Sequence, residues 1–221
     1  MTRTRISNKN QRHLDGMSQS EDPRFIESVE DLTEEKVERL KKVKPAILGI
    51  KCGRSACANG LHCFDSGKAH PQFEAGTCQH CGIDLIHWDE VRSRETRNVN
   101  AKFEFFEKEW IRHFFFHVPI TARIHKYADK HGLAGLGDIL ESQLRQNKML
   151  RFIPALDWNQ TKMLDGTIVH WARHAVACCC RACMNYWHNV PLSQELNDDD
   201  IKYFKELGLK FIAKRIPDLT R

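Results

Sequence analysis

The distribution of cysteine constrains the fold of this chain more than any other feature of its sequence. All nine cysteines fall in two clusters, one between positions 52 and 81 and the other between positions 178 and 183. An odd total and three consecutive cysteines do not fit a secreted fold stapled by disulfides. The pattern favours thiolates that bind metal ions in a reducing compartment, so we expect a cytoplasmic protein.

Composition points to a globular protein with a basic amino-terminal end. The 221 residues are 41% hydrophobic and 29% charged, and no apolar run approaches the roughly 18 residues that span a bilayer. We therefore expect no membrane association. The net charge of +5 is mildly basic, and Arg3, Arg5, Lys9 and Arg12 precede the first acidic residue. We predict a flexible basic arm over residues 1–24, either simply solvated or in contact with nucleic acid.

Periodicity predicts a mainly α fold, in which a helical domain carries an amino-terminal zinc-ribbon-like subdomain. A short helix capped by Thr33 is expected within residues 25–45. Residues 46–92 contain short β-prone runs and many glycines, which is typical of a zinc-ribbon-like unit. The remaining domain, residues 100–217, contains the second cysteine cluster. Its helices are predicted near 101–117, 120–131, 134–149, 168–188 and 198–214.

The CQHCG segment has the spacing of a zinc knuckle. Its thiolates, Cys78 and Cys81, lie three positions apart and can chelate one tetrahedral ion. The knuckle needs a second pair of ligands, and Cys52 and Cys57 provide it upstream. We predict a structural zinc site made of these four cysteines, with Cys63 as the alternative to Cys57. A site closed by four thiolates has no vacant position for catalysis.

Residues 170–188 concentrate histidine, cysteine and tryptophan, and they predict a second metal site. On an unbroken helix the histidines share one face, and Cys179, Cys180 and Cys183 lie on the opposite face. One ion therefore cannot bind both sets. Two arrangements are open. In one, two helices cross and the ligands are His113, His117, Cys180 and Cys183. In the other, the helix breaks and the ligands are local, namely His174, Cys180, Cys183 and His188.

Three segments resemble an uncharacterised family of microbial and phage-associated proteins. They are an LHCF…CxxCG ribbon at Leu61–Gly82, a WIRHxxxHVP segment at Trp110–Pro119 and an HAxxxCCRxCxxxWH module at His174–His188. The resemblance implies that the metal sites are shared with the family, but it implies no particular reaction. Cys178 lies outside the family pattern, which makes it the weakest ligand candidate of its cluster.

These patterns predict a zinc-binding protein that acts as an adaptor or a nucleic-acid-associated factor, with one structural zinc and a second Cys/His metal site. Its partner would be nucleic acid or another protein. A metal-dependent hydrolase or nuclease at the second site is one alternative, and a thiol redox sensor is another. The chain has no GxGxxG fingerprint, Walker loop, HExxH or GxSxG motif, which argues against cofactor-dependent redox chemistry and nucleotide hydrolysis.

Overall fold

The computed structural model describes residues 24–64, 73–151 and 163–220. Across these ranges the chain forms helices and isolated β-bridges, and no strand, so the mainly α prediction is confirmed. The helices in chain order are α1 (Glu34–Leu40), α2 (Trp88–Arg92), α3 (Val99–Phe106), α4 (Trp110–His117), α5 (Ala122–Leu144), α6 (Asn147–Leu150), α7 (Ile168–Ala175), α8 (Arg181–His188) and α9 (Asp198–Arg215). Within the same ranges, no helix combines the length and apolar character needed to cross a membrane. Most of the basic arm lies outside the described residues.

Helix starts follow the local signals in the sequence. Thr33 caps α1 as predicted, because its hydroxyl accepts a hydrogen bond from the Lys36 N–H at 3.2 Å. Asn197 and Asp200 form a reciprocal capping box at the start of α9. Gly132, at φ +61° and ψ 171°, interrupts α5 between the two segments predicted as separate helices.

Two predicted helices are each divided in two. The segment predicted as 101–117 becomes α3 and α4, because the intervening backbone pairs with the cysteine-rich region instead. The His62 N–H donates to the Lys108 carbonyl at 2.8 Å, and the Trp110 N–H donates to the His62 carbonyl at 2.9 Å. These bonds fix His62 against the start of α4.

The segment predicted as 168–188 becomes α7 and α8, separated by a turn that contains the consecutive cysteines. Ala177 adopts a left-handed conformation with φ +55°. The Cys178 N–H donates to the Arg173 carbonyl at 2.8 Å, and the Ala177 N–H donates to the His174 carbonyl at 3.3 Å. This is a Schellman termination, with alanine at a position that usually holds glycine. The chain then restarts as α8 after Cys180, whose backbone is extended.

Helix α4 lies at the centre of the core. Phe115 stacks on His174 of α7 with ring centroids 4.9 Å apart, and Phe116 packs edge-on against Phe211 of α9 at 5.0 Å. On another side of α4, the Arg54 guanidinium lies 3.9 Å over the Trp110 ring. Arg54 also donates to the Ile26 carbonyl at 2.6 Å. The amino-terminal segment is thereby held on α4, which brings Cys52 towards the helical domain.

Candidate metal centres

Three cysteines and one histidine converge in the amino-terminal region. One ligand atom from each of Cys57, His62, Cys78 and Cys81 lies within 4.8 Å of all the others, and we call these residues the first cluster. The Cys57 and Cys78 sulfurs are 3.8 Å apart, and the Cys81 sulfur lies 3.5 Å from His62 Nδ1. None of the nine cysteines, all of which lie in the described part of the chain, forms a disulfide. Three thiols and an imidazole match the donor set of a structural zinc site.

Two tight turns bring these side chains together. Cys57 and His62 flank a small antiparallel bridge, in which the Ala56 N–H donates to the Leu61 carbonyl at 2.8 Å. Cys78 and Cys81 lie on a turn closed by a hydrogen bond of 2.8 Å from the Gly82 N–H to the Cys78 carbonyl. The CQHCG segment thus places its two thiols at one tight turn.

The membership of the first cluster differs from the predicted quartet. Cys52 lies elsewhere, and His62 occupies the place expected for its thiolate. Cys63, the predicted alternative to Cys57, is fully buried and is not a member. Its carbonyl accepts a hydrogen bond from the Gln79 N–H at 2.8 Å, which supports the knuckle through the backbone. The Cys-x4-His spacing of Cys57 and His62 was the signal that sequence reasoning missed.

The surroundings of the first cluster separate the thiols by acidity. Burial raises the pKa of Cys57 to about 11. Burial also acts to raise the pKa of Cys78, but backbone hydrogen bonds at Cys63, His80 and Cys81 outweigh it and lower that pKa. Burial lowers the pKa of His62, so its imidazole is held in the neutral form that binds metal ions.

A second group of thiols lies at the turn between α7 and α8. The sulfurs of Cys179, Cys180 and Cys183 all lie within 4.8 Å of one another. The Cys52 thiol is hydrogen-bonded to Cys183, so it comes to this group from the amino-terminal segment. We call these four residues the second cluster. Cys178 is fully buried outside it, in agreement with its weak standing as a candidate.

A buried arginine of α4 faces the second cluster. Arg112 donates to the Cys183 sulfur at 3.1 Å, to the Cys179 sulfur at 3.9 Å and to the His174 carbonyl at 2.7 Å. Its Nε lies 3.0 Å from a carboxylate oxygen of Glu109, and both side chains are about 2% exposed. Although burial acts to lower the pKa of Arg112, the charges of Cys183 and Glu109 raise it. Arg112 thus places a permanent positive charge beside the thiols.

Neither predicted arrangement of the second site is the one that the fold brings together. His174 stacks on Phe115, and His188 donates from Nε2 to the Val176 carbonyl at 2.9 Å. Both imidazoles are buried, and burial lowers the pKa of each to about 3. The helix break that the local arrangement required does occur, but neither histidine shares a ligand group with the cysteines. The thiols meet Cys52 instead.

His113 and His117 do lie side by side on α4, yet no thiol belongs to their ligand group. Their ring centroids are 4.1 Å apart, and the third member of their group is Glu107. His117 Nε2 lies 2.9 Å from Glu107 Oε2. Arg112, one residue before His113 and about 100° away around α4, is the residue that contacts the thiols, whereas the two imidazoles contact Glu30 and Glu107.

A family profile described as a domain of unknown function, DUF4186, matches residues 100–213, just over half of the chain. The chain belongs to the DUF4186 family. The matched range contains three cysteines of the second cluster and the whole Glu107/His113/His117 group, whereas Cys52 and the first cluster precede it. The predicted relationship to an uncharacterised family is therefore confirmed over residues 100–213. No solved structure matches the chain.

Proposed function

We propose that this protein is a zinc-binding protein whose two cysteine clusters each hold one structural ion. The observation that carries the proposal is the convergence, without any disulfide, of four ligand atoms within 4.8 Å in the first cluster. Three thiols and a buried imidazole at this separation leave room for a tetrahedral ion at their centre. Metal binding would then supply part of the folding free energy of this region.

The second cluster would fasten the amino-terminal segment to the DUF4186 domain. Its thiols come from two places, Cys52 near the amino terminus and three cysteines of the family region. An ion held by all four would cross-link these segments, with Arg112 offsetting the negative charge of the thiolates. Four protein ligands leave no position for a reacting water, so this assignment favours a structural role over hydrolysis at this site.

Elemental analysis of the purified full chain, combined with single substitutions, tests the two centres separately. We expect two zinc equivalents in the native protein. Cys57→Ser should remove one of them, and Cys183→Ser should remove the other. Cys63→Ala and Cys178→Ala are matched controls, because each is a buried cysteine beside a cluster but outside it, and both should keep two equivalents.

Cys52 provides the decisive substitution. If the second cluster is the correct assignment, Cys52→Ser lowers occupancy of the second site, and a further Cys57→Ser change removes the remaining zinc. If Cys52 instead belongs with the knuckle, Cys52→Ser and Cys57→Ser remove the same equivalent. A native protein without metal would overturn the proposal. An iron content with visible absorption would assign the second cluster to an iron–sulfur centre, because four thiolates also suit that cofactor.

A thiol redox sensor is the second candidate function, and the contacts of Arg112 favour it. A guanidinium 3.1 Å from the Cys183 sulfur stabilises a thiolate, which is the nucleophilic form of cysteine. Hydrogen peroxide would convert two thiols into a disulfide and be reduced to two waters. Reversible oxidation at positions 179–183, with the first zinc retained, would support this function; resistance of the metal-loaded protein to peroxide would refute it.

A further inference from the structure

A third group of potential ligands lies apart from both cysteine clusters. His113 and His117 are four residues apart on α4, so both imidazoles project from one face of the helix. Glu107 lies at the C-cap of α3 and completes the group, with one ligand atom of each residue within 4.8 Å of the others. All three residues belong to the DUF4186 region.

The chemistry of this group differs from that of the thiol clusters. Two imidazole nitrogens and one carboxylate form a donor set that binds first-row transition metals, and catalytic zinc sites and non-haem iron sites both use it. The donor atoms face one another, since His117 Nε2 is 2.9 Å from Glu107 Oε2 and the two imidazole centroids are 4.1 Å apart. An ion at this point would bind all three side chains from one side.

Charged side chains around the group contact Glu107 and His113. Lys214 Nζ lies 3.5 Å from Glu107 Oε1, whereas Oε2 faces His117 Nε2, so an ion would bind between these two atoms in place of their hydrogen bond. Glu30 Oε1 lies 3.3 Å from His113 Nε2 and supplies a second carboxylate from the amino-terminal segment. Such outer contacts hold ligands in the orientation that a metal requires.

The group is open to solvent. The side chain of His117 is 43% exposed and that of His113 is 19% exposed. A cavity of about 230 Å³ lies on the side of His113, which lines it together with Glu30, Trp110 and Phe114 among others. Three protein ligands next to a cavity leave coordination positions for water or a small anionic ligand.

We propose that Glu107, His113 and His117 form a third metal site, which binds a divalent transition-metal ion with open positions towards solvent. The site is separate from both cysteine clusters and uses nitrogen and oxygen donors only. It is therefore weaker and more exchangeable than the thiolate sites, and a water bound to its metal ion would be accessible.

The test is a titration of Co²⁺ into the zinc-loaded full chain, followed by calorimetry and visible absorption. We expect one additional equivalent, without the thiolate-to-cobalt charge-transfer bands that displacement of zinc from a cysteine cluster would produce. Glu107→Gln and His117→Gln should each weaken this equivalent by about tenfold or more. Both side chains are partly exposed, so these variants should fold, and their circular dichroism confirms whether they do.

Two matched controls and one independent variant complete the design. His125→Gln and Glu104→Gln replace exposed residues of the same types outside the group, and they should bind Co²⁺ as the native chain does. Cys57→Ser should lose zinc from the first cluster yet keep the cobalt equivalent, so the third site can fail or succeed independently of the first two. Absence of an additional equivalent, or equal affinity in Glu107→Gln and His117→Gln, would overturn the proposal.

Discussion

His188, which the fold buries in its neutral form, should contribute strongly to the pH dependence of the stability. Its Nε2 donates to the Val176 carbonyl at 2.9 Å, and its Nδ1 lies 3.2 Å from the Tyr203 hydroxyl. The side chain is 1% exposed, and burial lowers its pKa from 6.5 to about 3. As the pH falls, His188 is therefore protonated at a much higher pH in the unfolded chain than in the folded one.

The sign and size of the effect follow from this difference. Because the folded pKa lies below the unfolded value, the stability is fully present above pH 6.5 and is lost as the pH falls from 6.5 towards 3. The loss is about 1.4 kcal/mol per pH unit, so His188 alone should lower the free energy of unfolding by about 2 kcal/mol between pH 7 and pH 5. His188→Gln keeps an N–H for the Val176 carbonyl but cannot take up a proton.

Urea unfolding followed by circular dichroism, at pH 7 and at pH 5, measures this contribution. Native protein and His188→Gln share the same cysteine clusters, so any pH dependence of metal binding cancels in their difference. We expect the loss of stability to be about 2 kcal/mol smaller in the variant than in the native protein. His125→Gln, which replaces an exposed histidine of α5, should follow the native protein. Equal losses in His188→Gln and native protein would refute the reasoning, and loss of zinc in His188→Gln would restore His188 as a ligand.

Three further predictions concern the charge beside the thiols, the knuckle turn and the basic arm. Arg112→Leu should lower the free energy of unfolding by roughly 3–5 kcal/mol, because it removes the ion-pair partner of the buried Glu109 carboxylate. In a double-mutant cycle, adding Glu109→Leu should recover much of this loss, and additive losses would contradict the pairing. Gly82→Ala should weaken zinc binding at the first cluster, measured by competition with a chelator, since φ is +74° and the new Cβ would lie 2.8 Å from the Phe73 ring. Gly60→Ala is the control for backbone strain alone, because its φ is +73° and nothing lies within 4 Å of the new Cβ. Equal effects of the two substitutions would exclude the clash with Phe73 as the cause. Deleting the basic arm should lower affinity for duplex DNA and flatten its salt dependence, whereas unchanged binding would remove the arm as a nucleic-acid contact.

Local signals in the sequence predicted much of the secondary structure. Thr33 and Asn197 start helices where their side chains cap the backbone, and the CQHCG segment forms a tight turn. Each of these features depends on residues within a few positions of one another. The helix break at residues 176–180 was only one of two open alternatives, because alanine at a left-handed position carries no signal as clear as glycine does.

The assignment of ligands to clusters depended on contacts between distant segments. Arg54 packs the amino-terminal segment on Trp110, and this contact brings Cys52 to Cys183 and away from the knuckle. His62 pairs through its backbone with residues 108 and 110, which places its imidazole beside Cys81. No rule about residue spacing within residues 46–92 predicts either contact.

The sequence by itself determined that this is a mainly helical chain with two groups of thiols suited to metal ions, and that His113 and His117 share a helix face. Only the tertiary structure decided that Cys52 joins the second cluster, that His62 completes the first, and that Glu107 is the neighbour of the paired imidazoles. Residue type and local spacing fix what a side chain is able to bind, whereas the packing of distant segments fixes which of these side chains share a ligand.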